Sequence, residues 1–437
     1  MKGRLLIAGT AAVLAAAVLA LGGVLRPGRA AAGPGDALPT AVAAELQKGF
    51  SAGDTKSEIA GLQAELRIYP HSSKALDTLG LAYQQRARET ADPSYYGKAQ
   101  GILDRALGLD RNDLIATAGL GQLALSRHQF RRALALGLRA KRISPTTAGV
   151  YGVIGDAELE LGRYPQAFAS FDHMNAIKPD VASYARVSYA RELLGDTRGA
   201  IRAMSLASSA AVGEREASAW THVQLGLLYL NSGRASHAVA EMRDALALFP
   251  SYYFALDGMA QAETSLGNLR SAARLEAEAV AKVPLPQYVG LLGDLKQATG
   301  HTRAARREYA LIPVIQKLLA ANGVRNDLDI ALFDVDHGID LPRALQLARK
   351  GYTERPSILG DDVLSWALAR NGECRAALPR SERALRLHTQ DPVKLFHRGY
   401  IAACLGGDAR SYYARALALN PRFSLIWAPV ARKGLAR

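Results

Sequence analysis

Hydrophobic and polar residues follow one another along most of this chain with the spacing of amphipathic helices. Apolar positions recur three and four residues apart within segments of about 12–15 residues, and glycine or proline stands between the segments. Alanine, leucine and arginine are abundant in these segments, and the β-branched runs of an all-β protein are missing. The pattern therefore predicts an all-α protein.

The helical segments repeat with a period of about 34 residues. A small residue opens the second half of each unit, at Ala99, Ala133, Ala167, Ala200, Ala238, Ala272, Ala305, Ala344, Ala377 and Ala409. Glycine stands five residues earlier in six units, at Gly162, Gly195, Gly233, Gly267, Gly300 and Gly372. Proline closes many units, at Pro70, Pro145, Pro179, Pro250, Pro284, Pro356 and Pro421.

Each unit is predicted to be a helical hairpin. The turn glycine, as in LGRYPQA at 161–167 and SGRASHA at 232–238, is expected to take positive φ and to end the first helix. Small residues equivalent to Gly155 and Ala167 let the two helices approach closely. Because proline ends the second helix and one hairpin cannot bury its own apolar face, we expect the hairpins to stack into a solenoid.

These residues resemble the tetratricopeptide repeat. The most complete unit is 219–252, with Leu225, Gly226, Tyr229, Gly233, Ala238, Met242, Ala245 and Pro250 in phase. Unit 148–181 follows, with Ile154, Gly155, Gly162, Tyr164, Ala167, Phe171 and Pro179. The resemblance implies a right-handed αα-hairpin solenoid of about 11 units over residues 41–421, closed by a carboxyl-terminal tail at 422–437.

Three segments depart from the repeat. Seven extra residues near Glu89–Gly97 are expected to form a longer loop. The second helix around Ile312–Asp327 is expected to run on to Asn322-Gly323 as its carboxyl-terminal cap. The tail, with Trp427, is expected to cover the last apolar face.

The amino terminus is predicted to lie outside the repeat fold. Leu5 to Leu25 is an uncharged run of 21 residues that follows Lys2 and Arg4. As a helix it would be roughly 31 Å long, enough to cross a bilayer core. Residues 1–32 are therefore either an uncleaved membrane anchor or a cleaved signal peptide, and 33–40 is a linker. Both alternatives predict a bacterial protein that is membrane-anchored, periplasmic or secreted, with its body outside the cytoplasm.

Composition and charge narrow the class of protein. Hydrophobic residues make up 49% and charged residues 22% of the chain, which argues against a mainly disordered protein. Cys374 and Cys404 are the two cysteines, and an oxidising exterior would allow them to pair. Buried unpaired thiols are the favoured interpretation, and a Cα–Cα distance above about 7 Å would exclude a bridge.

The sequence contains no catalytic motif of the hydrolase, nucleotide-binding or metalloprotease kinds. Because repeats fill nearly the whole chain, we predict no enzyme, no cofactor and no metal. Asp334, Asp336, His337 and Asp340 gather metal-ligand types within seven residues. The favoured interpretation places them instead at the turn between two helices, where such residues cap and reverse the chain.

The resemblance further implies that the first helices line a concave groove. Carrying the family's inward positions onto this chain gives the candidate binding residues Asp77, Gln122, Asp156, Glu160, Tyr189, Glu192, Trp220, Asn231, Phe254, Asp257, Gln261, Asp294 and Trp366. Acidic residues predominate in this set, although the chain has a net charge of +14. Basic residues should therefore lie on second helices and on the outer face, as in the clusters at Arg131–Arg142 and Arg303–Arg307.

Three functions are compatible with this pattern. The leading hypothesis is a protein–protein interaction scaffold whose groove holds a polar or cationic extended segment, anchored by Trp220, Phe254 and Tyr189. Alternatively, the groove carboxylates are solvated surface groups that bind no ligand. A basic repeat protein that binds a polyanion or nucleic acid is the second hypothesis, suggested by a pI of about 9.8. An enzyme with chemistry at Asp334–Asp340 is the third.

Overall fold

The computed structural model describes residues 55–436, and every regular element in that part of the chain is an α-helix. In chain order the helices are α1 (Thr55–Ile68), α2 (Ser73–Thr90), α3 (Ser94–Leu109), α4 (Leu114–Ser126), α5 (Phe130–Ile143), α6 (Ala148–Glu160), α7 (Tyr164–Ile177), α8 (Val181–Leu193), α9 (Thr197–Ala210), α10 (Arg215–Asn231), α11 (Ala235–Leu248), α12 (Tyr253–Leu266), α13 (Leu269–Lys282), α14 (Pro286–Ala298), α15 (Thr302–Ala321), α16 (Asp327–His337), α17 (Leu341–Glu354), α18 (Ile358–Arg370), α19 (Cys374–Ala384), α20 (Pro392–Cys404), α21 (Arg410–Leu419) and α22 (Trp427–Leu435).

The helices from α2 to α21 pair into ten consecutive hairpins, each stacked on the next. Helix α1 packs on the first hairpin, and α22 packs on the last. The prediction of an all-α solenoid of αα-hairpins is confirmed for residues 55–436, which hold ten hairpins where about 11 units were predicted. The predicted amino-terminal helix at 1–32 and the linker at 33–40 lie outside the described residues. No described helix is both long and apolar enough to cross a membrane.

Glycine and alanine occupy the places that the repeat requires. All six predicted turn glycines have positive φ, between 72° and 92°. Nine of the ten alanines that open second helices are fully buried, and Ala409 is the exception. A Cβ atom at Gly155 would lie 2.5 Å from Phe171, so only glycine allows these two helices to come so close. Small residues therefore determine the spacing within each hairpin.

The segment with extra residues does not form the long loop that the sequence predicted. Helix α2 continues for 18 residues to Thr90, and α3 begins at Ser94. Ala91 turns the chain between them with φ of 50°. The prediction was wrong because residues 84–90 are mostly good helix formers, so the insertion lengthens the helix instead of interrupting it.

Two other departures are confirmed. Helix α15 runs for 20 residues, through Pro313, and Gly323 reverses the chain after it with φ of 81°. At the carboxyl end, Ala428 and Ala431 of α22 are fully buried against the last hairpin. The tail therefore covers an apolar face that a further hairpin would otherwise cover.

The two cysteines are paired. Cys374 at the start of α19 is bridged to Cys404 at the end of α20, with a Cα–Cα distance of 6.3 Å. The favoured expectation of unpaired buried thiols is therefore wrong. Hairpin stacking brings the start of α19 beside the end of α20. The residues around each cysteine give no indication of this contact.

The superhelix is tight enough for one turn to touch the next. In several hairpins, the turn between the two helices contacts the loop that follows the hairpin five places further along the chain. We call this row of contacts the seam. Its hydrogen bonds join residues about 195 positions apart in the chain. They include His128 Nδ1 with Arg325 O (2.9 Å), Ile358 N to Tyr164 Oη (2.6 Å) and Thr389 Oγ1 to Leu193 O (2.6 Å).

A buried ion pair lies at the centre of the seam. Arg355, just after α17, donates from a terminal guanidinium nitrogen to Oε1 of Glu160 at the end of α6, at 2.6 Å. The two residues are 5% and 4% exposed, and the Arg355 guanidinium also lies over the Phe130 ring, 5.4 Å from its centroid. The pair fixes the position of one turn of the superhelix relative to the next.

Three turn glycines also belong to the seam. A Cβ atom at Gly195 would lie 2.6 Å from the carbonyl oxygen of His388, and one at Gly233 would lie 2.5 Å from that of Leu419. At Gly162 a Cβ atom would likewise collide with the carbonyl of Pro356. Here glycine supplies both the left-handed backbone and the room for the neighbouring turn.

Substitution at Gly195 should measure the seam directly. Gly195→Ala combines backbone strain of about 1–2 kcal/mol with the collision against His388, for which we expect a further loss of about 1–3 kcal/mol. Gly372→Ala is the matched control, because Gly372 has φ of 84° and nothing within 4 Å of its Cβ position. Urea unfolding should show the larger loss for Gly195→Ala, and equal losses would mean that the seam contributes nothing.

Reduction of the Cys374–Cys404 bridge should lower the free energy of unfolding by about 3 kcal/mol, because the bridge closes a loop with a sequence separation of 30. Thermal unfolding with and without dithiothreitol measures the difference. The double variant Cys374→Ala/Cys404→Ala should resemble the reduced protein and should not respond to the reductant. A melting temperature that dithiothreitol leaves unchanged in the wild type would contradict this expectation.

Candidate binding site along the superhelix axis

The first helices of the hairpins form the inner wall of the superhelix. Helix α6 is buried along almost its whole length, whereas its partner α7 is buried on one face only. Inner helices such as α2, α4 and α6 also contact one another in sequence. Polar side chains on these helices are therefore either enclosed between hairpins or directed towards the superhelix axis.

Two adjoining cavities lie along this axis. The large axial cavity, of about 260 Å³, is bounded by α2, α3, α4, α12, α14, α15 and α16. The small axial cavity, of about 120 Å³, is bounded mainly by α6, α8, α10, α12, α18 and α20. Gln261 and Leu332 line both cavities, so the two are neighbours. The seam replaces an open concave face with an enclosed axis.

The structure brings eight of the thirteen predicted groove residues to these cavities. The small cavity has Glu160, Tyr189, Glu192, Asn231 and Gln261 on its wall, and the large cavity has Phe254, Asp257, Gln261 and Asp294. In the middle of the chain the family's inward positions therefore coincide with the walls of these cavities. The other five residues line neither cavity: Asp77, Gln122, Asp156, Trp220 and Trp366.

Packing between hairpins explains where those five residues lie. Trp220 and Trp366 are at most 1% exposed and belong to hydrophobic clusters, so they are part of the core and not of a groove wall. Asp156 is buried and accepts a hydrogen bond from Arg186 at 2.8 Å. Gln122 is half-buried on α4. Asp77 is buried between α2 and α4.

Carboxylates of the small cavity have partners within the protein. Glu160 pairs with Arg355 across the seam, as described above. Glu192 accepts a hydrogen bond from Asn231 Nδ2 at 3.0 Å, and burial raises the pKa of Glu192 despite that bond. Lys394 pairs with Asp391 on the same wall. The small cavity therefore combines charges of both signs.

The large cavity has aromatic and acidic walls. Tyr253 and Phe254 lie with their ring centroids 4.2 Å apart, and the Tyr253 hydroxyl donates to the backbone oxygen of Arg88 at 2.8 Å. Asp257 accepts from Gln261 Nε2 at 2.8 Å. Burial raises the pKa of Asp257, and it raises that of the adjoining Glu276 still further, with the Asp257 charge as a second cause. Of the two carboxyl groups, Glu276 therefore holds its proton more tightly.

A polar network forms the floor of the large cavity. Asp294 Oδ1 accepts a hydrogen bond from the Tyr309 hydroxyl at 2.9 Å and lies 3.2 Å from His337 Nε2. The other ring nitrogen of His337 lies 2.8 Å from the backbone oxygen of Phe333. His337 is buried, which lowers its pKa, but the hydrogen bond and charge of Asp294 outweigh burial and raise it overall.

The four residues considered as a metal site diverge in the structure. Asp334 lies 3.6 Å from Arg343, and Asp340 accepts from the Arg343 backbone nitrogen as the amino-terminal cap of α17. Asp336 accepts hydrogen bonds from two tryptophans, and His337 lies against Asp294. Of the four residues, Asp340 alone caps a helix as the sequence predicted, whereas Asp334, Asp336 and His337 lie in the last turns of α16.

Sequence reasoning missed several residues that shape the site. Arg355 and Tyr253 stand at repeat ends, and no local pattern distinguishes them from neighbouring repeats. On the outer side of α10 and α11, His222, Glu241 and Asp244 also come together, with His222 Nδ1 2.8 Å from Glu241 Oε2. Their positions in the chain form no recognised ligand motif.

Residues of both predicted basic clusters lie on second helices. Arg131 and Arg132 are exposed on α5, a second helix. Arg303, Arg306 and Arg307 are exposed on α15, also a second helix. The outer face is therefore positively charged while the axis is largely acidic.

Comparison with known proteins agrees with this architecture. Residues 221–252 match the sequence model of the tetratricopeptide repeat family. These residues fall within unit 219–252, which the sequence marks as the most complete, and they span most of α10 and α11. Among curated proteins, none matches this chain.

Three solved structures illustrate the similarity. The type IV pilus biogenesis factor PilW is 16% identical, with 48% of this chain and 98% of PilW covered and a TM-score of 0.40. The protein TTC0263 of Thermus thermophilus is 22% identical, with coverages of 44% and 98% and a TM-score of 0.39. Human IFIT1, solved with m7Gppp-AAAA, is 15% identical, with coverages of 86% and 89% and a TM-score of 0.47. At these scores the similarities carry no functional argument.

Residues 221–252 are thus a tetratricopeptide repeat by sequence, and the ten hairpins of one layout give the described residues a solenoid of tetratricopeptide-repeat type. Stacked hairpins of this class present extended surfaces to other proteins. The architecture therefore supports a role in protein–protein interaction.

Asp77, on the inner wall, makes the free energy of unfolding depend on pH. Burial, followed by the neighbouring Asp113, raises the pKa of Asp77 to about 8. Because the folded state holds the proton more tightly than the unfolded state, Asp77 contributes stability that is complete near pH 4 and lost as the pH rises towards 8. Asp77→Asn should therefore be more stable than wild type at pH 9, by at least about 1.4 kcal/mol, the equivalent of one pKa unit.

The measurement is urea unfolding of both proteins at pH 5 and pH 9. The difference between the two proteins should be clearly smaller at pH 5 than at pH 9, because Asp77 of the folded protein is still protonated at pH 5 and is ionised at pH 9. Asp172→Asn, at an exposed position on α7, is the control and should show no such pH-dependent gain. A difference between wild type and Asp77→Asn that does not change with pH would show that Asp77 is ionised throughout.

Proposed function

We propose that this protein is an interaction scaffold on the outer side of a bacterial membrane, and that the axis of its superhelix receives a polar or cationic extended segment of a partner protein. The observation that carries this proposal is the pair of adjoining axial cavities, with eight predicted groove residues on their walls. Cavities in succession along an axis suit an extended chain better than a compact ligand.

The disulfide supports the proposed location. Structural disulfides persist in oxidising compartments outside the cytoplasm, and Cys374 and Cys404 are the two cysteines of the chain. The uncharged run from Leu5 to Leu25 supports the same location, because it has the length of a membrane anchor or an exported leader. We propose no catalytic activity, since the candidate residues at Asp334–Asp340 serve the turn and its neighbours.

Site-specific cross-linking tests the proposed groove. A photo-reactive benzoylphenylalanine in place of Tyr189 reports on the small cavity, and one in place of Phe254 reports on the large cavity. Tyr69, which is 64% exposed near the end of α1, is the control position. Illumination of intact membranes should cross-link one partner segment at Tyr189 and Phe254 but not at Tyr69.

The charge of the groove has its own test. Glu192→Gln keeps an acceptor for Asn231 but removes the charge, so capture of the partner at Tyr189 should fall by several-fold, about 3- to 10-fold. Partner capture from Tyr69 alone, or capture that Glu192→Gln leaves unchanged, would contradict a groove that selects a cationic segment. Mass spectrometry of the cross-linked peptide gives the composition of the captured segment.

Removal of residues 1–32 tests the location. The shortened protein should accumulate in the cytoplasm with Cys374 and Cys404 reduced, whereas the intact protein should fractionate outside the cytoplasm with both oxidised. Thiol alkylation followed by mass spectrometry distinguishes the two states. Reduced cysteines in the intact protein would contradict the proposed location.

Binding of a polyanion is the second candidate function, favoured by the exposed Arg303, Arg306 and Arg307 on α15. If this surface binds nucleic acid, the affinity should fall steeply with salt, and Arg303→Ala/Arg307→Ala should reduce the slope by about 2. If the affinity is weak and this double substitution does not change it, the scaffold is the candidate function that remains.

A further inference from the structure

The wall of the large axial cavity includes a buried carboxylate, Asp336, that residues 55–436 do not fully satisfy. Asp336 is 2% exposed and lies on the cavity wall. Its Oδ1 accepts from Trp366 Nε1 at 2.7 Å and from Trp427 Nε1 at 3.0 Å. No donor among residues 55–436 bonds to its Oδ2. A buried carboxylate that is not fully hydrogen-bonded is costly, so a cationic group held beside Asp336 would be stabilised.

The charge balance of the cavity wall favours a cation. One arginine, Arg88, lines the cavity, and its two histidines are already next to carboxylates. The carboxylates on the wall are Asp257, Asp294, Asp329 and Asp336, with His337 beside Asp294 and His128 4.0 Å from Asp329. Four acidic side chains therefore face one permanent positive charge.

Aromatic rings complete the wall. Tyr96, Tyr253, Phe254 and Phe333 line the cavity together with the acidic residues. Aromatic faces attract organic cations, and they cover the alkyl stem that carries such a cation. Carboxylates alone would also suit a metal ion, whereas this combination with aromatic rings suits an ammonium or guanidinium group on an alkyl chain.

We propose that the large axial cavity binds the end of a lysine or arginine side chain, with the Asp336 carboxylate as a buried counter-charge for its cationic group. At about 260 Å³ the cavity lies below the range of roughly 300–1,000 Å³ typical of drug-sized ligands, so it suits a single side chain. This inference rests on the proposed function only for the identity of the segment that carries the side chain. The cavity's preference for a cation is a property of this chain alone.

Isothermal titration calorimetry of the full-length protein at pH 8 tests the site, with N-acetyl-lysine amide and N-acetyl-arginine amide as probes. Burial raises the pKa of Asp336 to about 6, so the carboxyl is ionised at this pH. We expect a Kd of about 0.1–1 mM for at least one probe, the range expected of ligands this small. N-acetyl-norleucine amide, which has the stem without the charge, should bind at least about tenfold more weakly.

Two variants act on the site by different means. Asp336→Asn keeps an oxygen acceptor for Trp366 and Trp427 but removes the charge, and it should weaken probe binding at least about tenfold. Gly290→Leu fills the cavity without changing any charge, because a Cβ at Gly290 meets Phe333 at an ordinary 3.4 Å. It should abolish binding while keeping the protein folded, and exposed Asp172→Asn should leave binding unchanged.

The outcomes separate this inference from the scaffold function. Absence of heat with both cationic probes, equal affinity for the norleucine probe, or binding that survives both Asp336→Asn and Gly290→Leu would each overturn the cation site. Partner cross-linking at Tyr189 and Phe254 would still support the scaffold in that case. Probe binding that both variants remove, without any cross-linked partner, would establish the cation site and overturn the extended-segment proposal.

Discussion

The arrangement of the whole superhelix depends on one constraint, the contact of each turn with the next along the seam. The buried pair of Arg355 and Glu160 stands at its centre, and removal of one partner of such a pair typically costs about 3–5 kcal/mol because the other is left buried and charged. Around it, glycine turns meet backbone carbonyls without room for a side chain. The axial cavities exist because these contacts close the superhelix around them.

The seam also changes how the repeats share their stability. In an open solenoid each hairpin interacts with its neighbours alone, so stability is nearly a sum of local terms and the ends unfold independently. Here hydrogen bonds join residues such as Thr389 and Leu193, which are 196 positions apart. Loss of an outer hairpin on one turn therefore removes contacts from the other turn, and unfolding becomes more cooperative.

Local physical chemistry accounts for the part of the fold that could be predicted. Turn glycines with positive φ, buried alanines and the long α15 each follow from the residues within one repeat. Other features depend on residues that are far apart in the chain. They are the closed seam, the disulfide and the burial of Trp220 and Trp366 in the core. The family's inward positions placed Tyr189 and Asp257 at the axis. No sequence pattern indicated that Arg355 would pair with Glu160 beside it.

The spacing of the seam has a consequence for how this protein could change its length. Each seam contact joins the turn of one hairpin to the loop after the hairpin five places further along the chain. The contacts can therefore form only when the number of hairpins between them is unchanged. Gain or loss of one whole repeat in the middle of the array, which open arrays tolerate, would bring Gly195 opposite the wrong carbonyl and separate Glu160 from Arg355. We therefore expect the array to accept an added repeat more readily at its two ends than in its interior.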